Sequence, residues 1–225
     1  MLSLPVIDLA PVRRNEPGAR KKVAQLLDET CRANGFFYVT GHGVPPELLQ
    51  KVFGQSKGFF DLPVDVKLRW HIGKSGISRG YDPVGWQSLE VGKPADLKES
   101  FYLGVDRGPD DALVMAGVPN QGPNQWPDEV LVPGFRATTN AYAPAMASLG
   151  RQVLSLLAES LNLPASYFDA FLTNPMPVLR LLHYPPSDKA LQDGQVGSGA
   201  HTDWGSVTLL AQDDVGGLQV KLGDV

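Results

Sequence analysis

The sequence predicts an α+β fold in which helices come first and support a β-sandwich or jelly roll. Three observations carry this prediction. Apolar stripes of helical period fill the first quarter of the chain and return at residues 136–162; a stretch rich in Gly and Pro, with only short apolar runs, occupies residues 73–134; and after Pro164 the pattern changes to short runs that suit strands. The 225 residues suffice for one core with an accessory layer, and 43% hydrophobic with 20% charged residues marks a globular chain rather than a disordered one.

In chain order, residues 5–9 predict a short strand. Residues 19–34 predict a helix whose apolar side carries Val23, Leu26, Leu27, Thr30 and Cys31 before Gly35 stops it. Cys31 is therefore assigned to core packing. Residues 36–40 read as a strand closed by the turn at residues 41–45. A second helix starts at about Pro46, with Leu48, Leu49, Val52, Phe53, Phe59 and Phe60 at helical spacing. The helix over 136–162 has its stripe at Met146, Leu149, Val153, Leu156, Leu157 and Leu161 and ends at Pro164. Residues 178–183, 207–212 and 218–222 then predict strands, separated by Pro185-Pro186 and Gly216-Gly217.

Charge and cysteine usage exclude several function classes. A net charge of -4 with no long run of either sign offers no footprint for a phosphate backbone, so nucleic acid is not an expected partner. One cysteine rules out an internal disulfide or a multi-thiolate metal site from this chain alone. No run of 18 uncharged apolar residues occurs, and the N-terminus meets Asp8 before any signal-like apolar stretch. The expected location is cytoplasmic, without a membrane span.

The segment Gly199-Ala200-His201-Thr202-Asp203-Trp204-Gly205 carries the chemistry. Side chains two apart on an extended backbone point the same way, so His201 and Asp203 can present a nitrogen and an oxygen to adjacent corners of one metal ion. That is two-thirds of a 2-His-1-carboxylate facial triad.

The surroundings of this pair, with residues 211–220 after it, resemble the core of the isopenicillin N synthase-like iron(II)/2-oxoglutarate-dependent oxygenases. Residues 34–44, Arg79-Gly80-Tyr81 and residues 96–101 are similar to that family's N-terminal domain, and residues 179–186 to the strand before its metal motif. The resemblance implies helices packed on a double-stranded β-helix, incomplete in this chain. It divides the chain into an N-terminal non-haem dioxygenase domain (1–120), a linker with a supporting helix (121–172) and the first part of the β-core (173–225). It further implies Fe(II), O2 and 2-oxoglutarate as cosubstrate, with His201 and Asp203 as metal ligands and Tyr184 as a 2-oxoglutarate contact. The activity implied is 2-oxoglutarate decarboxylation coupled to oxidation of a small organic substrate. The family's asparagine two residues before that tyrosine is Leu182 here. Its second histidine and its Arg-x-Ser pair lie well beyond the aspartate, and no histidine follows Asp203 in this sequence. The resulting expectations are a truncated member with strand edges left unpaired and weak iron binding.

The remaining histidines read otherwise: His42 as part of a turn, His71 as exposed or capping a helix end, and His183 facing away from the side that Tyr184 faces. Arg180 could hold an anion, although a structural carboxylate is the better reading. Asp213 and Asp214 read as turn-forming. Trp204 suits a pocket wall or the core equally, and Tyr81, Trp86 and Phe101 are unranked as groups that approach a substrate. The alternative function is a catalytically inactive remnant or small-molecule-binding module of the same family. A zinc hydrolase built on His201 and Asp203 is a third reading, and it would need another nitrogen ligand and a positioned base.

Overall fold

The computed structural model describes residues 4–89, 92–186 and 195–221. They fall into two compact units, one formed by residues 1–45, 144–175 and 205–225 and the other by residues 46–143 and 176–204.

The first unit opens with β1 (Val6–Asp8), a single helical turn α1 (Ala10–Arg13), the amphipathic helix α2 (Ala19–Ala33) and β2 (Tyr38–Thr40). β1 and β2 pair in parallel, Val6 opposite Tyr38 and Asp8 opposite Thr40. A parallel pair needs a crossover, and α2 supplies it. Helix α2 buries Ala19, Val23, Ala24, Leu27 and Thr30. Cys31 is exposed, which corrects its assignment to the core: the stripe passes through Thr30 on the last turn, and Leu26 is exposed with it. Gly41 turns the chain after β2 with φ +60, where a Cβ would collide with Asp8 Oδ1.

In the second unit α3 (Pro46–Phe60) and the short α4 (Val64–Lys67) precede β3 (Gly80–Asp82) and β4 (Glu99–Leu103). A one-turn helix α5 (Ala112–Met115), the long α6 (Phe135–Ser160) and β5 (Leu179–His183) follow. Helix α6 contributes its residues up to Ala143 to this unit and the remainder, from Pro144, to the first. Its predicted stripe is buried at Leu149, Val153 and Leu156, whereas Leu161, past the helix end, is exposed.

β3, β4 and β5 form an antiparallel sheet with β4 central. The register sorts the side chains by the period of two. Tyr81, Phe101 and Leu181 lie in one cross-strand row and are buried. Phe59 of α3 packs on them, its ring 5.8 Å from Tyr81, 4.7 Å from Phe101 and 5.9 Å from Phe135 of α6. The opposite face carries Asp82, Ser100 and Leu182 in one row and Gly80, Tyr102 and Arg180 in the next.

The strands predicted at 207–212 and 218–222 do not form among the described residues, where residues 205–221 carry no ladder; residue 222 lies outside the described residues. An alternating apolar pattern favours an extended backbone, but a strand also needs a neighbour to accept its hydrogen bonds.

Candidate metal and cosubstrate site

β5 runs out through Tyr184, and the chain returns at residues 195–203 beside the loop that leads into β4. Three contacts fasten the returning segment there: Gln195 donates to Ala95 O, Leu97 N–H donates to Val196 O at 3.0 Å, and Gly199 N–H donates to Asp96 Oδ1 at 3.0 Å. The other Asp96 oxygen accepts from Lys98 Nζ at 2.6 Å, and the same ammonium donates to Ser198 Oγ at 2.8 Å. Both side chains of this ion pair are buried. Burial pushes the Lys98 ammonium down from its ordinary value, with the Asp96 carboxylate pulling it back up.

This fastening presents the candidate ligands. His201 Nδ1 lies 2.8 Å from Gly199 O, and since a carbonyl only accepts, Nδ1 carries the donated proton. In the neutral ring Nε2 then offers a lone pair, and it stands 3.4 Å from Asp203 Oδ1. That separation exceeds a charge-assisted hydrogen bond of roughly 2.7–2.9 Å. It is close to the roughly 3 Å between two donors that bind one ion at right angles from about 2.1 Å each. Two lone pairs facing each other repel unless a cation lies between them. An imidazole nitrogen with a carboxylate oxygen suits a hard-to-borderline divalent metal, so the pair fits iron(II) as two of its ligands. The side chains are 38% and 54% exposed, which leaves a metal accessible. Among the described residues no group of three or more His, Cys, Asp or Glu gathers around a possible metal position.

Tyr184 continues the alternation of β5 on the face of Arg180 and Leu182. Its ring packs against the backbone of Gly197, where a Cβ would approach to 3.0 Å, and its hydroxyl is hydrogen-bonded to Ser198. Burial raises the phenol above its ordinary value, opposed by Arg180 and Ser198. Tyr184 is thus linked through Ser198 and Gly199 to the segment that holds His201.

His183 points to the other face, as alternation requires. It stacks on Phe60 with centroids 5.4 Å apart, and its Nδ1 lies 2.8 Å from Glu99 Oε1. Glu99 also accepts from Lys67 Nζ at 2.7 and 2.9 Å and from the Tyr81 hydroxyl. Burial pushes the Glu99 carboxyl up, but hydrogen bonds from Lys67, Tyr81 and His183 together hold it below its ordinary value. His42 Nδ1 accepts from Val44 N–H within its turn, and His71 caps a helical turn by accepting from Gly73 N–H. Tyr81 and Phe101 are in the aromatic core, so neither can approach a substrate; Trp86 is 60% exposed. Trp204 is almost fully exposed and packs in no core. Asp213 accepts from Val215 N–H and forms the turn assigned to it.

The matched families decide the relationship. Residues 4–129 match the family described as non-haem dioxygenase in morphine synthesis N-terminal, and residues 175–224 match the 2OG-Fe(II) oxygenase superfamily. The chain belongs to the 2OG-Fe(II) oxygenase superfamily. This oxygenase chain is 40% identical over 219 residues to the 2-oxoglutarate-Fe(II) type oxidoreductase hxnY of Emericella nidulans, covering 96% of itself and 62% of that relative. It is 42% identical over 224 residues to the 2-oxoglutarate-dependent dioxygenase citB of Monascus ruber, covering 97% of itself and 67% of that protein. Among solved structures, a full-length Neurospora crassa protein in complex with alpha-KG superposes with a TM-score of 0.76 at 29% identity, over 91% of this chain and 62% of that one. The same Neurospora protein with alpha-KG and thymine gives 0.74 at 28% identity, over 91% and 63%. The chain thus spans somewhat less than two-thirds of hxnY and of the Neurospora protein, and these likenesses place the observed α+β arrangement with the oxygenases of the double-stranded β-helix fold.

Spacing alone picks out His201 and Asp203 as candidate ligands but not the support beneath them. In the sequence Asp96 and Lys98 are visible only as part of a fold signature. Their one local signal is a charge pair two residues apart at the start of an otherwise buried strand.

Proposed function

We propose that this chain is the metal- and cosubstrate-binding part of an Fe(II)/2-oxoglutarate-dependent oxygenase that couples 2-oxoglutarate decarboxylation to oxidation of a small organic molecule. The observation that supports it most is the approach of His201 Nε2 to Asp203 Oδ1 at 3.4 Å, with Nδ1 committed to Gly199 O. Bound iron(II) would supply the coordination positions for 2-oxoglutarate and O2 and would activate O2, the oxidant. The chain's own residues supply placement. Gly199 O fixes the tautomer and orientation of the His201 ring, a carbonyl partner of the kind that sharpens a metal-bound imidazole. The buried Asp96 and Lys98 hold Gly199 and Ser198, and Ser198 in turn orients the Tyr184 hydroxyl toward a cosubstrate carboxylate. Thymine in the Neurospora complex is a precedent for a small polar substrate. No helix among the described residues is long and apolar enough to cross a membrane, and a cytoplasmic location is proposed with the activity.

Anaerobic titration of the chain with iron(II) in the presence of 2-oxoglutarate, followed by visible absorption and by succinate release on admitting O2, tests the reading. His201→Ala and Asp203→Ala should each abolish the absorption change, and Tyr184→Phe should raise the KM for 2-oxoglutarate. Unchanged iron binding in both ligand variants would remove the assignment. The second reading, a small-molecule-binding module without turnover, draws on the lack of a third donor among the described residues. Binding of 2-oxoglutarate without iron-dependent succinate release would select it.

A further inference from the structure

The sheet face that carries Tyr184 also brings Asp82 of β3 and Arg180 of β5 together. The Asp82 side chain is 7% exposed, and its Oδ1 is buried with no hydrogen-bond partner. The cation beside it is Arg180, whose Nη2 stops 4.0 Å from Asp82 Oδ2. A buried arginine and aspartate free to pair close to roughly 2.7–2.9 Å, often through two parallel bonds. This pair is held open by identifiable contacts. Arg180 Nε and Nη2 donate to Ser100 Oγ at 3.1 and 2.8 Å, Nη2 also donates to Gln87 Oε1 at 2.8 Å, and the guanidinium lies 4.7 Å over the Tyr102 ring. Its Nη1 donates to none of the described residues. A carboxylate with one oxygen lacking a donor therefore lies 4.0 Å from a guanidinium whose Nη1 is uncommitted among the described residues.

The Asp82 deficit is costly, because a buried polar group without a partner forfeits its hydration for nothing in return, whereas the Arg180 side chain is 24% exposed and partly hydrated. Burial pushes the Asp82 carboxyl up, although Arg180, His71 and Lys98 all pull it down. A few residues along, Gln87 fixes the guanidinium, and its sequence neighbour Trp86, 60% exposed, meets His71 edge to face at 4.7 Å. The surroundings thus combine an exposed indole with one unused acceptor and one unused donor.

We propose that Asp82 and Arg180 form the substrate-recognition pair of this oxygenase and read a planar, uncharged substrate edge on which an N–H adjoins a C=O, as in a lactam. The substrate N–H donates to Asp82 Oδ1, and its carbonyl accepts from Arg180 Nη1. A carboxylate substrate satisfies the arginine but is repelled by Asp82, so the pair selects the neutral edge. The assignment rests on the oxygenase reading for the word substrate, whereas the binding itself needs no metal.

The test uses the metal-free 225-residue chain with 2-pyridone as probe, and N-methyl-2-pyridone and benzoate as controls, with affinity read by ligand-detected NMR. Expected are binding of 2-pyridone and at least roughly 10-fold weaker binding of both controls, the loss that follows from one unmade hydrogen bond to a charged group. Asp82→Asn should weaken 2-pyridone binding by a similar factor while melting no earlier than the parent, and Arg180→Lys should weaken it with the fold intact. A purely structural pair would give the reverse: lower melting temperature and unchanged probe affinity. That result, or no binding of 2-pyridone to the parent, overturns the proposal. Binding of 2-pyridone without iron-dependent use of 2-oxoglutarate would support the pair and remove the oxygenase reading; 2-oxoglutarate turnover without probe binding would do the opposite.

Discussion

At the scale of single residues, the two faces of the β3-β4-β5 sheet handle buried charge in opposite ways. Glu99 is satisfied by Lys67, Tyr81 and His183, and its carboxyl is held below the ordinary 4.5 once those bonds outweigh burial. Stability from a depressed carboxyl is complete above the unfolded value and is lost as pH falls through the folded one. The contribution of Glu99 should therefore be full at neutral pH and disappear only under acid conditions below 4.5. Glu99→Gln leaves the Lys67 ammonium buried without its counter-charge and should cost about 3–5 kcal/mol in urea unfolding at neutral pH. Asp82 is the mirror case: its folded value is raised above 3.8, so its protonated form favours the fold below that pH and the contribution is lost as pH rises through the folded value. Asp82→Asn should accordingly raise the melting temperature at neutral pH by a few degrees, roughly 2–4 °C for each kcal/mol in a chain of this size. Differential scanning calorimetry at neutral and mildly acid pH reads both effects, and a gain for Asp82→Asn that persists undiminished at about pH 3, below the unfolded value, would contradict the assignment.

Among the elements, those whose burial is settled by their own period were legible in the sequence. The α2 stripe, the start of α3 and the strand of residues 179–183 follow directly from spacing, and the facing of His183 away from Tyr184 follows from alternation alone. What spacing cannot specify is the partner. Residues 207–212 have the composition of a strand but no ladder, and Cys31 has a helical position that the turn of the stripe leaves outside. The candidate site divides in the same way. The proposed pair His201 and Asp203 is two residues apart and visible locally, whereas Asp96 reaches Gly199 across 103 positions and Arg180 reaches Ser100 across 80. The sheet itself depends on one aromatic contact set. Phe59 is fully buried against Phe60, Trp70, Tyr81, Phe101 and Phe135. Phe59→Ala opens a cavity that these rigid rings cannot fill and should destabilise by about 3–5 kcal/mol, read from the shift in urea midpoint at constant slope; a loss under about 1 kcal/mol would show that the sheet is anchored elsewhere.

For the molecule as a whole, the proposed metal pair is only as well placed as the segment that carries it, and besides the contacts of Gln195 and Val196 with the β4 loop that segment is fastened by one buried ion pair. Asp96 accepts from Gly199 N–H and from Lys98, and Lys98 holds Ser198, so one carboxylate positions both the residue whose carbonyl orients His201 and the hydroxyl bonded to Tyr184. With two proposed donors rather than three among the described residues, iron(II) affinity should be weak and unusually sensitive to how well they are aligned. The double variant Asp96→Asn, Lys98→Met removes the ion pair without leaving an unpaired buried charge and touches neither donor. Its iron(II) affinity in anaerobic titration should fall roughly 10–100-fold, the usual effect of losing an outer partner of a metal-binding histidine. Circular dichroism of the same sample should stay close to the parent, because β4 and its ladders are intact. If affinity is instead unchanged while the fold holds, His201 and Asp203 are aligned by their own loop, and the connection from the β4 loop to the metal pair is not what sets the site.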